Sequence, residues 1–132
     1  MAAFAAVLVA AATTQAQAAA PSPSDVVNHH MSVVNTGNID ALISDYADDA
    51  VVLQAGQATQ GKAPIKAMLT PLFGPDAAKL NIVPTKIWQE GDVGFVTWTA
   101  NGGALKGQDS FLVKNGKIEV QAVWIGGAPP AQ

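Results

Sequence analysis

The sequence predicts an α+β fold, with helices gathered on one face of a curved antiparallel sheet. Three observations lead there. Apolar residues recur at helical spacing through the first half of the chain, they alternate at strand spacing after Asp76, and helices and strands never alternate as a βαβ unit requires. A length of 132 residues suits one domain with one core.

Taken in order, Pro21-Ser22-Pro23-Ser24 reads as a short stiff linker. Ser24 reads as the N-cap of a helix that carries Val26, Val27, His30, Met31, Val33 and Val34 on one face up to Gly37. Asn38 caps a second helix, Ile39 to Tyr46, with Leu42, Ile43 and Tyr46 inward, Asp40 and Asp45 outward, and Asp48-Asp49 ending it in a turn. Ala50 to Ala55 has strand character and folds back through Gly56-Gln57 onto Ala58-Thr59-Gln60. Gly61 opens a third helix that tolerates Pro64 in its first turn and points Ile65, Met68, Leu69, Leu72 and Phe73 inward until Gly74-Pro75. Four strands follow, Lys79 to Gln89, Val93 to Ala100, Leu105 to Lys114 and Lys117 to Ile125, joined by Glu90-Gly91-Asp92, Asn101-Gly102-Gly103 and Asn115-Gly116. Connections this short imply an antiparallel meander.

The N-terminal segment is of another kind. It holds no charge before Asp25, and eleven of its first twenty residues are Ala. An apolar run from Met1 to Ala12, then Thr13, Thr14, Gln15 and the small-x-small triplet Ala16-Gln17-Ala18, reads as a secretory signal peptide over residues 1–18. Residues 19–24 are then a linker, 25–126 the domain and 127–132 a flexible tail. The cation that normally opens such a signal is absent, since none precedes Lys62, which is expected if Met1 lies inside an incomplete n-region; an Ala-rich helix or disordered arm of the mature protein is the competing reading. Thr13 to Gln17 break the run well short of the ~18 apolar residues a membrane anchor needs. An export signal implies a periplasmic or secreted protein.

Composition removes several function classes. With no cysteine there is no disulfide framework, thiolate metal site or cysteine nucleophile. All seven cations are Lys and the net charge is −3, so there is no guanidinium fork for bases or phosphates, and nucleic acid is not an expected partner. His29-His30 are adjacent, and helical neighbours point about 100° apart, which prevents them from sharing one ion. Asp40, Asp45, Asp48 and Asp49 lack the alternating oxygens and glycine of a calcium loop and read as a solvated helix face and turn. No metal or other cofactor is expected.

Two stretches carry a family likeness. Val33-Val34-Asn35-Thr36-Gly37-Asn38-Ile39-Asp40-Ala41-Leu42, followed by Asp45-Tyr46-Ala47-Asp48-Asp49-Ala50-Val51 and by Gly61-Lys62-x-x-Ile65, resembles the nuclear transport factor 2-like superfamily, and within it the SnoaL-like and ketosteroid-isomerase-like proteins. The resemblance implies a cone: a strongly bent antiparallel sheet around about three helices, an apolar pocket at one end, and frequent dimerisation through the outer sheet face. Carried over residue by residue, the isomerase's catalytic base falls on Gln54, its helix tyrosine on His30 and its oxyanion aspartate on Asp109. Tyr46 matches a supporting tyrosine of some members, and Leu69 stands where the third helix usually has a tyrosine. An amide cannot take a proton at neutral pH, so ketosteroid isomerase activity is not expected.

The cone places His30 and Asp109 in one pocket, where a carboxylate beside an imidazole would make an acid/base dyad. The plainer reading of the same pair is a satisfied core histidine and a surface aspartate. Tyr46, Val52, Gln54, Leu69, Phe73, Trp98, Phe111, Gln121 and Val123 are the expected ligand-binding wall. Counted from Asp109 and the pattern of the family the chain resembles, strand alternation sets Trp98, Gln121, Val123 and Ile125 inward and Val120, Ala122 and Trp124 outward, and a shift of one residue would exchange the sets. An outward Trp beside Val120 predicts a two-fold sheet-to-sheet homodimer. The charged fraction of 13%, against a typical ~25%, fits a sheet covered on both faces. Two functions follow: an exported protein that binds a small apolar molecule, or a cofactor-free isomerase, dehydratase or cyclase using His30 and Asp109. A protein-interaction module is a third, resting on the outer face alone.

Overall fold

The computed structural model describes residues 11–14, 16 and 18–127. The predicted signal peptide falls largely, and the tail beyond Gly127 wholly, outside the described residues. Among the described residues no helix is long and apolar enough to cross a membrane.

Helix α1 spans Pro23–Val33. Its N-cap is Ser22, not the expected Ser24: Asp25 N donates to Ser22 Oγ over 3.2 Å and Ser22 N donates back to Asp25 Oδ2 over 3.0 Å, a capping box with Pro23 at the first helical position. The spacing of Ser22 and Asp25 is legible in the sequence. Ser24 instead holds α1 to the sheet, its N and Oγ both donating to Gln89 Oε1 at 3.0 and 2.7 Å. Val26, Val27, His30 and Met31 are the buried face.

Helix α2 is shorter than predicted, Ile39–Ile43, with Asn38 Oδ1 accepting from Ala41 N at 3.0 Å. Tyr46 belongs instead to strand β1, Tyr46–Gln54, which takes in Asp48 and Asp49. The cause is tertiary. Ile118 N donates to Asp45 O, and Tyr46 is already in register with Ile118, so pairing begins where the helix was expected to continue. Strand β2 is Gln57–Gln60, helix α3 is Lys62–Phe73, and the remaining strands are β3 Val83–Glu90, β4 Val93–Ala100, β5 Leu105–Lys114 and β6 Lys117–Gly127. Leu72, expected inward on α3, is 43% exposed.

The six strands form one open sheet in the order β2-β1-β6-β5-β4-β3. It is not wholly antiparallel, because β6 returns alongside β1 in the same direction. A meander explains β3 to β6, but β1 is separated from β6 by the hairpin, α3 and three strands, so their direction follows from where the meander ends. Register shifts within β1, β3 and the β5–β6 pair mark the bends that curve the sheet. Asn115 and Gly116 both have positive φ, 50° and 72°, as a tight two-residue hairpin of matching twist requires. On β4 and β5 alternate residues are buried, so Val96, Trp98, Asp109 and Phe111 face the helices. Trp124 is 63% exposed on the other face, and Trp88 stacks on Phe95 at 5.1 Å.

Candidate functional site

Between the helices and the concave sheet lies a cavity of about 310 Å³. Tyr46, Val52, Gln54, Leu69, Phe73, Trp98, Gln121 and Val123 line it together with His30 and Asp109. Phe111 does not. It is fully buried behind His30, whose ring it meets edge-on at 5.4 Å, so its place is in the core rather than on the wall. Ile125 and Leu72, both exposed, stand at the opening, whereas His30, Asp109 and Gln121 are buried. The polar groups are therefore deep and the mouth is apolar.

The sheet contributes a relay of side chains. Tyr46 Oη donates to Gln121 Oε1, Gln121 Nε2 donates to Asp109 Oδ2 at 2.9 Å, and Trp98 Nε1 donates to Asp109 Oδ1 at 3.1 Å. Four strands-worth of alternation produce it. Asp109 is in register with Val96 on β4 and Val123 on β6, so Trp98 and Gln121, each two residues away on the same face, flank it.

His30 and Asp109 share the cavity but are not hydrogen-bonded to each other. The partner of His30 is Asp45, whose Oδ2 meets His30 Nδ1 at 3.1 Å while its Oδ1 meets His29 Nδ1 at 2.7 Å. Asp45, expected outward, is buried at 8% exposure. His29, expected to face solvent, is half exposed but tied to that carboxylate. The early end of α2 causes both corrections, because it turns Asp45 back under α1. Sequence reasoning missed Asp45 since it lies in a loop fifteen residues from His30, and no local pattern pairs them. Of the other acidic residues, Asp40 pairs with Lys66 and Asp48 with Lys62 at the surface. No group of three or more metal-ligating side chains occurs among the described residues.

Every buried side-chain nitrogen and oxygen among the described residues either has a partner or reaches open space. With Nδ1 committed to Asp45, His30 presents Nε2 to the cavity. Burial raises the pKa of Asp109, opposed by the hydrogen bonds from Trp98 and Gln121 and by His30. Burial likewise raises the Tyr46 hydroxyl, which stays protonated as a donor.

The raised carboxyl has a stability consequence. Between the ordinary carboxylate pKa near ~4 and the raised value, the folded chain holds more protons than the unfolded one, so stability falls as pH rises through that window. The loss is about 1.4 kcal/mol for each pH unit of lift. Asp109→Asn should flatten the slope. Its amide can replace the carboxylate if Gln121 turns over, donating then to the Tyr46 oxygen, so the fold has a route to keep the relay. Urea midpoints measured across pH for both proteins check this, and parallel slopes would contradict it.

The site can now be set beside known proteins. No curated protein sequence matches the chain significantly. Among solved structures it is similar to a nuclear transport factor 2-like protein of unknown function from Burkholderia xenovorans LB400, at 21% identity and a TM-score of 0.68 over 81% of this chain and 84% of that one. A putative polyketide cyclase from Sinorhizobium meliloti is similar at 24% identity and a TM-score of 0.63, covering 76% and 94% of the two chains. An epoxide hydrolase from M. tuberculosis, described as LEH-like, aligns at 17% identity and a TM-score of 0.62 over 76% and 80%. These likenesses show the fold. The family profile of the SnoaL-like domain matches residues 27–121, from the buried face of α1 to the glutamine of the relay, and the chain therefore belongs to the SnoaL-like domain family.

Proposed function

We propose that this protein binds a small, largely apolar molecule whose one polar end reaches the buried groups of the cavity. The observation that carries the reading is the cavity of about 310 Å³ with apolar walls, an apolar mouth, and Asp109, His30 and Gln121 at depth. Its volume sits at the lower end of the ~300–1,000 Å³ usual for ligand sites. Native mass spectrometry of the purified protein should find a retained small molecule. That molecule should raise the melting temperature of the wild type more than that of His30→Ala or Asp109→Asn. Loss of all ligand-dependent stabilisation in a broad apolar screen, with nothing retained, would overturn the reading.

A second reading is favoured by the Asp45–His30 contact. A buried carboxylate on Nδ1 fixes the imidazole with Nε2 toward the cavity, and Asp109 supplies a second titratable group there. That arrangement suits a cofactor-free isomerase, dehydratase or cyclase, in which Asp45 orients His30 and Asp109 acts separately. Two of the structural neighbours are described as a putative polyketide cyclase and an LEH-like epoxide hydrolase. In this reading His30→Gln abolishes turnover of the retained molecule and preserves its binding.

Export and dimerisation belong to the same proposal. The N-terminal sequence of the protein recovered from its host should begin after Ala18, outside the cytoplasm. The exposed Trp124, with the Trp88–Phe95 stack, supports pairing through the outer sheet face, and burying a Trp contributes about 2–3 kcal/mol. Sedimentation at micromolar concentration should show a dimer, and a monomer would remove this element.

A further inference from the structure

The deep end of the cavity presents acceptors and no charged donor. Asp45 lies against His30 Nδ1, and an ionised carboxylate can only accept, so in the neutral ring the proton sits on Nδ1 and Nε2 is left with a lone pair. Both oxygens of Asp109 face N–H donors, the indole of Trp98 and the amide of Gln121, so Asp109 too is held as an acceptor. The Tyr46 hydroxyl, a donor suited to a carbonyl, is spent on Gln121. Gln54 adds a neutral amide to the lining, but no Lys lines the cavity and the chain has no Arg, so nothing there offsets a negative charge. Asp109 is already met by its two donors, so the acceptor that a ligand has to answer is His30 Nε2, and a buried acceptor facing an apolar space is costly until a donor meets it.

We propose that the cavity selects an uncharged apolar molecule ending in a hydrogen-bond donor, an alcohol or enol hydroxyl, and rejects both carboxylates and ethers of the same skeleton. This rests on the binding reading above and narrows it to one ligand class. A hydroxyl placed between His30 and Asp109 donates to either acceptor. An ether of the same shape leaves His30 Nε2 without a donor, and a carboxylate sets a further acceptor and a negative charge beside Asp109 with no cation to offset it. Asp45 is the positioning residue, because its contact with Nδ1 is what turns Nε2 into an acceptor.

The test compares n-decanol, its methyl ether and n-decanoate on the wild-type protein at neutral pH, followed by calorimetry and by intrinsic tryptophan fluorescence, to which Trp98 contributes from the cavity wall. Decanol should bind roughly tenfold or more tightly than the ether, the scale of one hydrogen bond to a charged or buried group, and decanoate should bind more weakly still. Nitrogen NMR of the His30 ring should show the proton on Nδ1. In Asp109→Asn, whose amide can donate, the gap between decanol and decanoate should narrow; circular dichroism verifies that the variant is folded. The wild-type comparison stands without it. Ether or decanoate binding as tightly as decanol, or a proton on Nε2 with Nδ1 bare, overturns the inference and leaves the binding reading intact. Failure of decanol to bind also overturns it. The binding reading itself falls separately, by the absence of any retained or stabilising apolar molecule.

Discussion

Replacing Phe111 with alanine is expected to remove roughly 3–5 kcal/mol from the free energy of unfolding, a large share of the ~5–15 kcal/mol a domain of this kind has. Phe111 is 0% exposed, on the inner face of β5, in register with Gly94 on β4 and Gln121 on β6. It carries no polar atom, so the loss is transfer of the ring plus the void it leaves, and the rigid sheet around it limits collapse. The same ring sits edge-on to His30 at 5.4 Å, and Tyr46 is also edge-on to that imidazole at 5.6 Å. Truncation therefore also frees the imidazole that these two rings hold toward Asp45. Urea unfolding with an unchanged m-value checks the first effect, and broadening of the His30 ring signals checks the second. Phe111→Leu, which keeps most of the volume, should cost well under half as much. A loss below about 1 kcal/mol for the alanine variant would mean that the core closes over the gap.

How far the site was legible follows from the range over which each signal acts. The hairpin chemistry of Asn115-Gly116 and the alternation of β4 and β5 are local, and together with the family resemblance, which fixes the register, they put Trp98, Asp109 and Gln121 on one face. His30 followed from helical spacing and from the resemblance. What could not be read is where the chain closes on itself. The parallel pairing of β1 with β6 spans some seventy residues, and it is this pairing that ends α2 early and strips Tyr46 from the helix. Asp45 is swept inward with it, so the partner of His30 came from a loop rather than from the strand that carries Asp109. Local propensity gave the wrong burial for Asp45 because a short helix and a strand end compete there on nearly equal terms, and tertiary pairing decided between them.

Gly107→Ala should be the most damaging methyl group that can be added to the sheet. A Cβ at this position would stand 2.1 Å from Trp98 Cζ2 and 2.3 Å from Cε2, closer than carbon atoms approach. Gly107 is in register with Trp98 on β4 and with Ile125 on β6, so its backbone is held on both sides and cannot withdraw. The indole must move instead. It is 6% exposed, and its Nε1 is one of two donors on Asp109, so turning the ring aside breaks that bond and drives the ring into the ligand cavity. Overpacking at about 1–3 kcal/mol and loss of a hydrogen bond to a carboxylate at about 1.5–3 kcal/mol overlap in the same displacement, which points to a total near 3 kcal/mol. The two contributions separate in a double-mutant cycle. If the indole's bond to Asp109 is what the methyl group breaks, Gly107→Ala should cost less in the Asp109→Asn background than in the wild type, because the charge that needed the donor is already gone. Ligand stabilisation should fall in the same variant, since the displaced ring occupies the cavity. Full additivity, with ligand binding untouched, would show that the sheet yields at β5 and that Trp98 keeps its place over the carboxylate.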